Sequence, residues 1–443
     1  MANRTLSVWH IASLLVSTIC GIGFFLGTGE LALRQGMAAC LYAVATAIGL
    51  LALALSAPRI QKAGHSIWEY FGALYGPTVS QQVAAFSLIW MTGVLGAQIR
   101  GASAILALTG TPHAASVLVV DCIVTAFSFI RISCLSGIFA LCLLGCNVIL
   151  VYALVETHRV ILWLRAPLIF MESIHMQPIG HTGLTLLSVI ALVLCGADYQ
   201  QFPLLARTPA YARTSCLIAA MIVLVIGFLP ASAVIAGVDI WQLGRVADHA
   251  QVIPELLIRA IGSASHIVSA SVMLLLIVTA LGSACSILRV MSDATATASR
   301  SLAIPSILHR ILPVCAATLV ASQGQSIVNM MVTLNTVYLA AVGPLLILTL
   351  LGKPIQDRGA KQSMLTGAGV SALCVLLEWT HTIHISAATP LIVAWPCALA
   401  EALRPRLTAR PDSTRLTGTA SAQSTTTERN QSVDSPSSMQ DIA

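Results

Sequence analysis

The strongest constraint on this chain is its division into about twelve apolar runs, because a membrane-spanning helix needs about 20 mostly apolar residues. Polar segments separate the runs, so the pattern predicts an all-α polytopic membrane protein. A further apolar stretch, 160–171, is interrupted by Arg165 and Pro167. It predicts an interfacial helix in an outer loop, with another span as the alternative. The predicted spans are Leu6–Gly27, Ala38–Ala57, Val83–Leu108, Ala115–Ile130, Cys134–Leu154, Leu184–Gly196, Cys216–Gly237, His266–Leu288, Pro305–Ala321, Val328–Leu351, Met364–Glu378 and Ser386–Ala402.

The low content of charged residues excludes a water-soluble protein. Only 9% of the 443 residues are charged and 57% are hydrophobic, whereas a soluble domain carries about 25% charged residues. A soluble enzyme, a disulfide scaffold and a disordered interaction protein are therefore excluded as classes. The 12 cysteines lie mostly inside apolar runs, where cysteine packs as a small hydrophobe, so we expect no disulfide framework.

The distribution of Lys and Arg predicts the orientation in the membrane. With a cytoplasmic N-terminus, 15 of these residues fall in or next to inner loops and 5 in outer loops. Since inner loops are enriched in Lys and Arg, the chain is expected to be a multi-pass protein of the inner (plasma) membrane with both termini in the cytoplasm. This distribution also means that the net charge of +6 does not indicate nucleic-acid binding.

The sequence predicts one membrane domain, 1–403, followed by a tail, 404–443. The tail is rich in Ser, Thr, Gln and Arg and has no apolar run. A segment of this composition cannot bury enough apolar surface to offset its ordering entropy. We therefore expect a disordered cytoplasmic tail.

Two spans contain helix-breaking sequences at matching places in two groups of five spans. The first span contains Cys20-Gly21-Ile22-Gly23, followed by Gly27 and Gly29, and the sixth contains Gly196 through Gln201, closed by Pro203. Because five is an odd number of crossings, the second group is inverted relative to the first. Broken helices at membrane depth line cavities or lie buried in protein, so the pair predicts a central transport site. The alternative is that these glycines only permit close helix packing.

Sequence motifs along about 350 residues resemble the sodium:solute symporter family, which includes proline and sugar symporters. The resemblance implies a LeuT-type fold, a 5+5 inverted repeat followed here by two C-terminal helices. The strongest motif, 196–207, is similar to the family's "GqDyyQrvLaAk". The other motifs are the glycine turn 21–29, the loop 66–72, the third-span segment 96–102, the segment 252–257, the eighth-span segment 279–286 and the segment 342–346 with Lys353 and Gly359.

The resemblance also implies a sodium site between the first and eighth core helices. Family members use carbonyls at the break and two hydroxyls from a Ser-Thr pair, whereas this chain has Gly282-Ser283 or Ser283-Ala284 there, and Cys285 in place of the following acid. One hydroxyl of the pair is therefore lost, with Thr279 or Ser286 as the alternative source of it, and coupling to protons and uncoupled transport stay open beside sodium coupling. The positions carried over are Ser17 and Cys20 for the carbonyls, and Thr279 or Ala280, Ser283 and Ser286 on the eighth helix.

Polar residues within or near the broken spans are the candidate solute ligands. Asp198 is the strongest candidate among them, because a carboxylate in a membrane segment normally faces a partner or water. Three roles are open for Asp198: shaping the solute site, carrying a proton, or capping the second break. Three are also open for Arg100: pairing with Asp198, contacting a solute carboxylate, or making a structural contact. The candidate solute-binding residues are Gly21, Ile22, Gly23, Gln98, Asp198, Tyr199, Gln200 and Asn335.

These patterns favour secondary transport of a small polar solute, such as an amino acid, driven by a sodium gradient. A symporter-like membrane sensor is the alternative from another class. We find no constellation for catalysis, so no enzyme activity is expected, and no cofactor beyond sodium as the coupling ion. His381 and His384 lie one helical turn apart but lack a third ligand for a transition metal. The expected partners are the solute and the lipid bilayer, without nucleic acid or an obligate protein partner.

Overall fold

The computed structural model describes residues 6–130, 132–262, 266–300, 302, 304–323, 326–353, 355–380 and 389–408. Nearly all of them belong to one compact unit, Met1–Pro405, and only 406–408 belong to the second unit, Arg406–Ala443. His381, His384 and most of the predicted tail lie outside the described residues. Seven helices precede residue 157. They are α1 (Val8–Ile19), α2 (Ile22–Gln35), α3 (Leu41–Ala63), α4 (Ile67–Tyr75), α5 (Pro77–Ala107), α6 (His113–Phe127) and α7 (Ile132–Glu156).

Two short helices then lead to ten more. The short helices, α8 (Val160–Leu164) and α9 (Ala166–His175), replace the single interfacial helix that the sequence predicts, because the chain is interrupted at Arg165. Neither is long enough to span a bilayer. The remaining helices are α10 (Ile179–Cys195), α11 (Ala197–Leu204), α12 (Pro209–Gly227), α13 (Leu229–Gly237), α14 (Val252–Ile261), α15 (His266–Ala298), α16 (Leu308–Ala321), α17 (Ile327–Leu350), α18 (Asp357–Trp379) and α19 (Pro390–Thr408).

The helices confirm a polytopic all-α membrane protein. Seven helical segments of the described chain are long and apolar enough to cross a membrane, and the bent pair Thr182–Cys195 plus Ala197–Leu204 brings the number to eight. Each predicted span has a helical counterpart, although several boundaries move by a few residues. Three shorter apolar helices account for part of the difference between eight and twelve, namely Val8–Ile19, His113–Phe127 and Leu308–Ala321.

A backbone contact shows that the two broken spans run in opposite directions. The amide of Leu6, just before α1, donates to the carbonyl of Leu205, just after α11, at 3.3 Å. Leu6 also accepts from the amide of Arg207 at 3.4 Å. The start of the first span and the end of the sixth therefore lie on the same side of the bundle. This is the arrangement that an inverted five-helix repeat requires.

Local sequence explains the sharp turn that leads into the third span. Ser66 and Glu69 form a capping box at the start of α4, in which the Ser66 amide donates to the Glu69 carboxylate at 2.9 Å. Gly76 follows with a φ of +89°, a value that residues with a side chain rarely adopt. Pro77 then occupies the first turn of α5, where its missing N–H costs nothing. The turn places α5 against α15 and α17.

Candidate functional site

The first span is interrupted at Cys20 and Gly21, between α1 and α2. Gly21 has an extended backbone, with φ −61° and ψ 172°. The interruption is shorter than predicted, because Gly23, Gly27 and Gly29 all belong to α2. The last two permit close packing instead: a Cβ on either would lie closer than van der Waals contact to a side chain of α17 or α14.

The side chain of Gln98, on α5, lies against the first break. It is buried, and its Oε1 accepts a hydrogen bond from the backbone amide of Gly23 at 3.1 Å. That amide is in the first turn of α2, where N–H groups lack helical partners. Ile22 packs against α5 at Gly101, whose Cβ would lie 3.0 Å from the Ile22 side chain. Gln98 therefore has a structural role, and its predicted contact with a solute stays a prediction.

The hydroxyls of α15 meet the end of α1 directly beside the first break. Ser283 Oγ donates to the carbonyl of Thr18 at 3.0 Å. The hydroxyl of Thr18 lies 3.3 Å from Ser286 Oγ, which also lies 2.8 Å from the carbonyl of Ser283. All three residues are buried. Their oxygens form a compact group, which we call the hydroxyl cluster (Thr18, Ser283 and Ser286), between the first and eighth spans.

The other predicted sodium ligands lie around this cluster without joining it through hydrogen bonds that the structure records. Ser17 Oγ donates to the carbonyl of Leu14 at 3.1 Å, and Cys20 caps the end of α1. Thr279 Oγ1 donates to the carbonyl of Leu275 at 2.9 Å and faces the thiol of Cys146 at 3.6 Å. Ala280 is buried and has no side-chain oxygen. Sequence reasoning missed Thr18, because its contacts are with residues more than 260 positions away.

The second break consists of Gly196 alone, so the predicted unwound segment through Gln201 is too long. Helix α11 resumes at Ala197 after Gly196, whose backbone is extended, and lies at 41° to α10. Side chains donate hydrogen bonds to the backbone carbonyls that lose their helical partners at the break. Gln200 Nε2 donates to the carbonyl of Leu194, and Tyr338 of α17 donates to the carbonyl of Cys195 at 2.7 Å. Because side chains satisfy these acceptors, α11 can restart after one residue.

Asp198 lies in the first turn of α11, where the helix dipole favours a negative charge. Its carboxylate is buried and accepts a long hydrogen bond, 3.5 Å, from the indole N–H of Trp90 on α5. The three roles predicted for Asp198, in the solute site, in carrying a proton and in capping the second break, stay predictions.

Tyr199 connects the two breaks. It is buried in the second broken span and lies near Cys20 at the first break and near Tyr42 of α3. The hydroxyl of Tyr42 is also buried and interacts with the side chain of Tyr199. The interrupted segments thus approach each other in the centre of the bundle, as the transport interpretation requires.

A small cavity opens beside the first break. Its volume is about 10 Å³, which is room for about one water molecule. The bundle is therefore closed around this point in the conformation described here. Sequence reasoning missed Tyr42, although an aromatic hydroxyl in an apolar run is a visible signal. The lining residues are Gly23, Phe24, Thr28, Tyr42, Val328 and Met331.

Two further candidates have structural partners. Arg100 does not pair with Asp198. Its guanidinium lies 4.0 Å from the carboxylate of Asp248, because it projects from the end of α5 toward the segment before α14. Asn335 of α17 donates to Ser188 of α10 at 3.1 Å, while its buried Oδ1 has no hydrogen-bond partner. Asn335 lies one helical turn beyond Met331, a residue of the cavity wall, so it retains a free acceptor near the centre.

Comparison with solved structures identifies the fold. The chain is similar to a Na⁺-coupled sialic acid symporter in a substrate-bound, outward-open state, with 11% sequence identity and a TM-score of 0.70, over 92% of this chain and 91% of that chain. It is also similar to a nucleobase-cation-symport-1 family transporter in a closed conformation with bromovinylhydantoin bound, with 13% identity and a TM-score of 0.53, over 91% of this chain and 93% of that chain. No family model matches the chain, and no curated protein does. The structure thus has the LeuT fold of these two transporters.

Proposed function

We propose that this chain is a secondary active transporter of the sodium:solute symporter type, which imports a small polar solute at the expense of a sodium gradient. The proposal places it in the inner (plasma) membrane with both termini in the cytoplasm. The single observation that carries it is the contact of Ser283 Oγ with the carbonyl of Thr18 at the first break. Both broken helices and the fold support the same mechanism, in which the halves of the bundle rock around a central site.

The hydroxyl cluster has the donor chemistry for a hard cation, which prefers oxygen ligands. Two pairs of its oxygens are in contact: Ser283 Oγ lies 3.0 Å from the Thr18 carbonyl, and the Thr18 hydroxyl lies 3.3 Å from Ser286 Oγ. Two ligands at right angles around a cation, each at about 2.4 Å, lie about 3.4 Å apart. Small rotations of the two serine hydroxyls therefore open room for sodium as a co-transported substrate. One charge moving through 100 mV releases about 2.3 kcal/mol for solute uptake.

The solute pocket in this proposal is the small cavity beside the first break. The buried hydroxyl of Tyr42 is a hydrogen-bonding group in the cavity wall that a polar solute would meet. The free Oδ1 of Asn335 offers an acceptor within a helical turn of the cavity wall. A volume of about 10 Å³ is too small for any organic solute, so binding requires α2, α3 and α17 to move apart. Solute binding and the rocking motion are thereby coupled.

Uptake into proteoliposomes tests the proposal. A panel of labelled polar solutes is offered under a sodium gradient or a proton gradient, each imposed alone. We expect uptake only with sodium. Uptake that follows the proton gradient alone would replace sodium with proton coupling, uptake without either gradient would indicate an uncoupled carrier, and binding without uptake would favour the sensor.

The variant Ser283→Ala examines the sodium site within this assay. A hydrogen-bonding group that serves a charge contributes about 1.5–3 kcal/mol, and about 1.4 kcal/mol corresponds to a factor of ten in affinity. We therefore expect half-maximal uptake at a sodium concentration at least about ten times higher. Ser271→Ala, on the exposed face of the same helix, is the matched control and should leave the sodium dependence unchanged. Equal behaviour of the two variants would contradict the assignment.

A further inference from the structure

Asp121 is a carboxylate within the fourth span that plays no part in the breaks or the cavity. It lies in the middle of α6 and faces α16, where one of its oxygens, Oδ2, lies 2.8 Å from Thr318 Oγ1. The other oxygen, Oδ1, is buried and has no hydrogen-bond partner. Acidic residues in membrane segments are costly and are default candidates for a functional role.

The hydrogen-bond geometry of Thr318 indicates which atom carries the proton. Its Oγ1 also lies 3.0 Å from the carbonyl of Val314, one turn earlier in α16. A hydroxyl has one proton, and a carbonyl has none to donate. If Thr318 donates to Val314, the short contact with Asp121 is a hydrogen bond only when Asp121 supplies the proton. A protonated Asp121 therefore satisfies both contacts, whereas an ionised Asp121 must compete with Val314 for a single proton.

The surroundings of Asp121 provide no countercharge. None of the ion pairs between described residues involves it. Helices α5, α15 and α16 pack against α6, and Arg100 of α5 is engaged near Asp248. If Asp121 were ionised, its carboxylate would be half-buried between helices, and its hydrogen-bond donor, Thr318, would be shared with the carbonyl of Val314. The titratable groups on α6 and the helices packed against it are His113 and Cys122 on α6, Arg100 on α5, His266, Cys285, Arg289 and Asp293 on α15, and His309, Arg310 and Cys315 on α16.

We propose that Asp121 is a proton-binding site inside the membrane domain, which holds a proton in the conformation described here and donates it to Thr318. The site is separate from the hydroxyl cluster and does not depend on which ion drives transport. Release of the proton would require water or a cation to enter between α6 and α16. Protonation and the packing of these two helices are therefore coupled at this point.

Infrared spectroscopy of the purified protein provides the decisive test. A protonated carboxylic acid has a carbonyl stretch that is separate from the bands of carboxylates, and it shifts when hydrogen is exchanged for deuterium. We expect such a band at neutral pH in the full chain, and we expect Asp121→Asn to remove a component of it that Asp198→Asn leaves in place. Asp239→Asn, which changes an exposed acid, should retain that component. Absence of the band from the unaltered protein, or an unchanged band in Asp121→Asn, overturns the proposal.

Labelling with a hydrophobic carbodiimide provides a second readout that needs no variant. The reagent takes up the carboxyl proton on one nitrogen, and the carboxyl oxygen bonds to its central carbon, so that an O-acylisourea forms and rearranges to a stable N-acylurea. We expect mass spectrometry to locate the adduct at Asp121 at a level at least about tenfold above Asp239 at neutral pH, with labelling that falls as the pH rises. Equal labelling of the two acids at every pH would contradict a proton held at Asp121. Asp121→Asn should unfold at the same temperature as the unaltered protein, because one neutral group replaces another.

Discussion

Replacing Gly21 with alanine tests whether the first break works by close approach to α15. Gly21 has a φ of −61°, so alanine adopts its backbone without strain and the whole effect is steric. A Cβ at this position would lie 2.6 Å from the Cβ and the Oγ of Ser283, and 2.9 Å from Nε2 of Gln98. Both neighbours are buried, which limits how far they can move aside.

The size of the effect follows from these distances. Carbon atoms in contact lie about 3.5–4.0 Å apart, so α15 and the break must separate by about 1 Å. The bond from Ser283 Oγ to the Thr18 carbonyl, now 3.0 Å, would lengthen to about 4 Å, beyond hydrogen-bonding range. Overpacking costs about 1–3 kcal/mol and the lost bond about 0.5–1.5 kcal/mol. We expect Gly21→Ala to destabilise the fold by about 1.5–4.5 kcal/mol.

Thermal unfolding in detergent, with and without sodium, measures this loss, and uptake measures the sodium response. Gly369→Ala is the control, because no atom lies within 4 Å of its Cβ position and alanine favours the helix. The double variant Gly21→Ala/Ser283→Gly removes the contact with Ser283 together with its hydroxyl, but leaves the contact with Gln98. Its unfolding temperature should recover in part, while its sodium response should not recover. If Gly21→Ala unfolds at the same temperature as Gly369→Ala and keeps its sodium response, the close approach has no role.

Two further substitutions test contacts around the site. Gln98→Leu leaves the buried amide of Gly23 without an acceptor, which should cost about 1–3 kcal/mol; thermal unfolding measures the cost, and an unchanged midpoint would show that another group serves that amide. Asp248→Asn removes the partner of Arg100 in an ion pair that is 4.0 Å long and partly exposed. We expect a change below about 1 kcal/mol, which falls further at high salt; a larger loss would mean that this pair holds α5 against the segment before α14.

Much of the fold was predictable because its signals are local. Apolar runs of span length predicted the order of the helices, and glycines marked both interruptions at Gly21 and Gly196, although only seven or eight of the twelve predicted spans are long and apolar enough to cross a membrane in the described chain. The extents of the breaks were less predictable: Gly23, Gly27 and Gly29 are helical, as is the polar stretch after Gly196. A glycine or a polar residue in a span does not by itself indicate whether its backbone is unwound, because neighbouring helices decide which peptide groups find partners.

The candidate site was less accessible to sequence reasoning because its contacts join distant parts of the chain. Thr18 meets Ser283 across 265 positions, and Tyr338 meets the carbonyl of Cys195 across 143. No local pattern encodes such pairs. Asp121 is different, since a lone acid in an apolar run is the same signal that singled out Asp198, and it could have been found. The predicted solute ligands, such as Asn335, stay predictions.

The backbone link between Leu6 and the Leu205–Arg207 segment constrains how the bundle assembles and moves. It joins peptide groups about two hundred positions apart, so it can form only after the first six spans have entered the bilayer. The link joins one end of α1 to one end of α11, so we expect a tilt of one helix to move the other. The two interrupted helices would then tilt together about their joined ends.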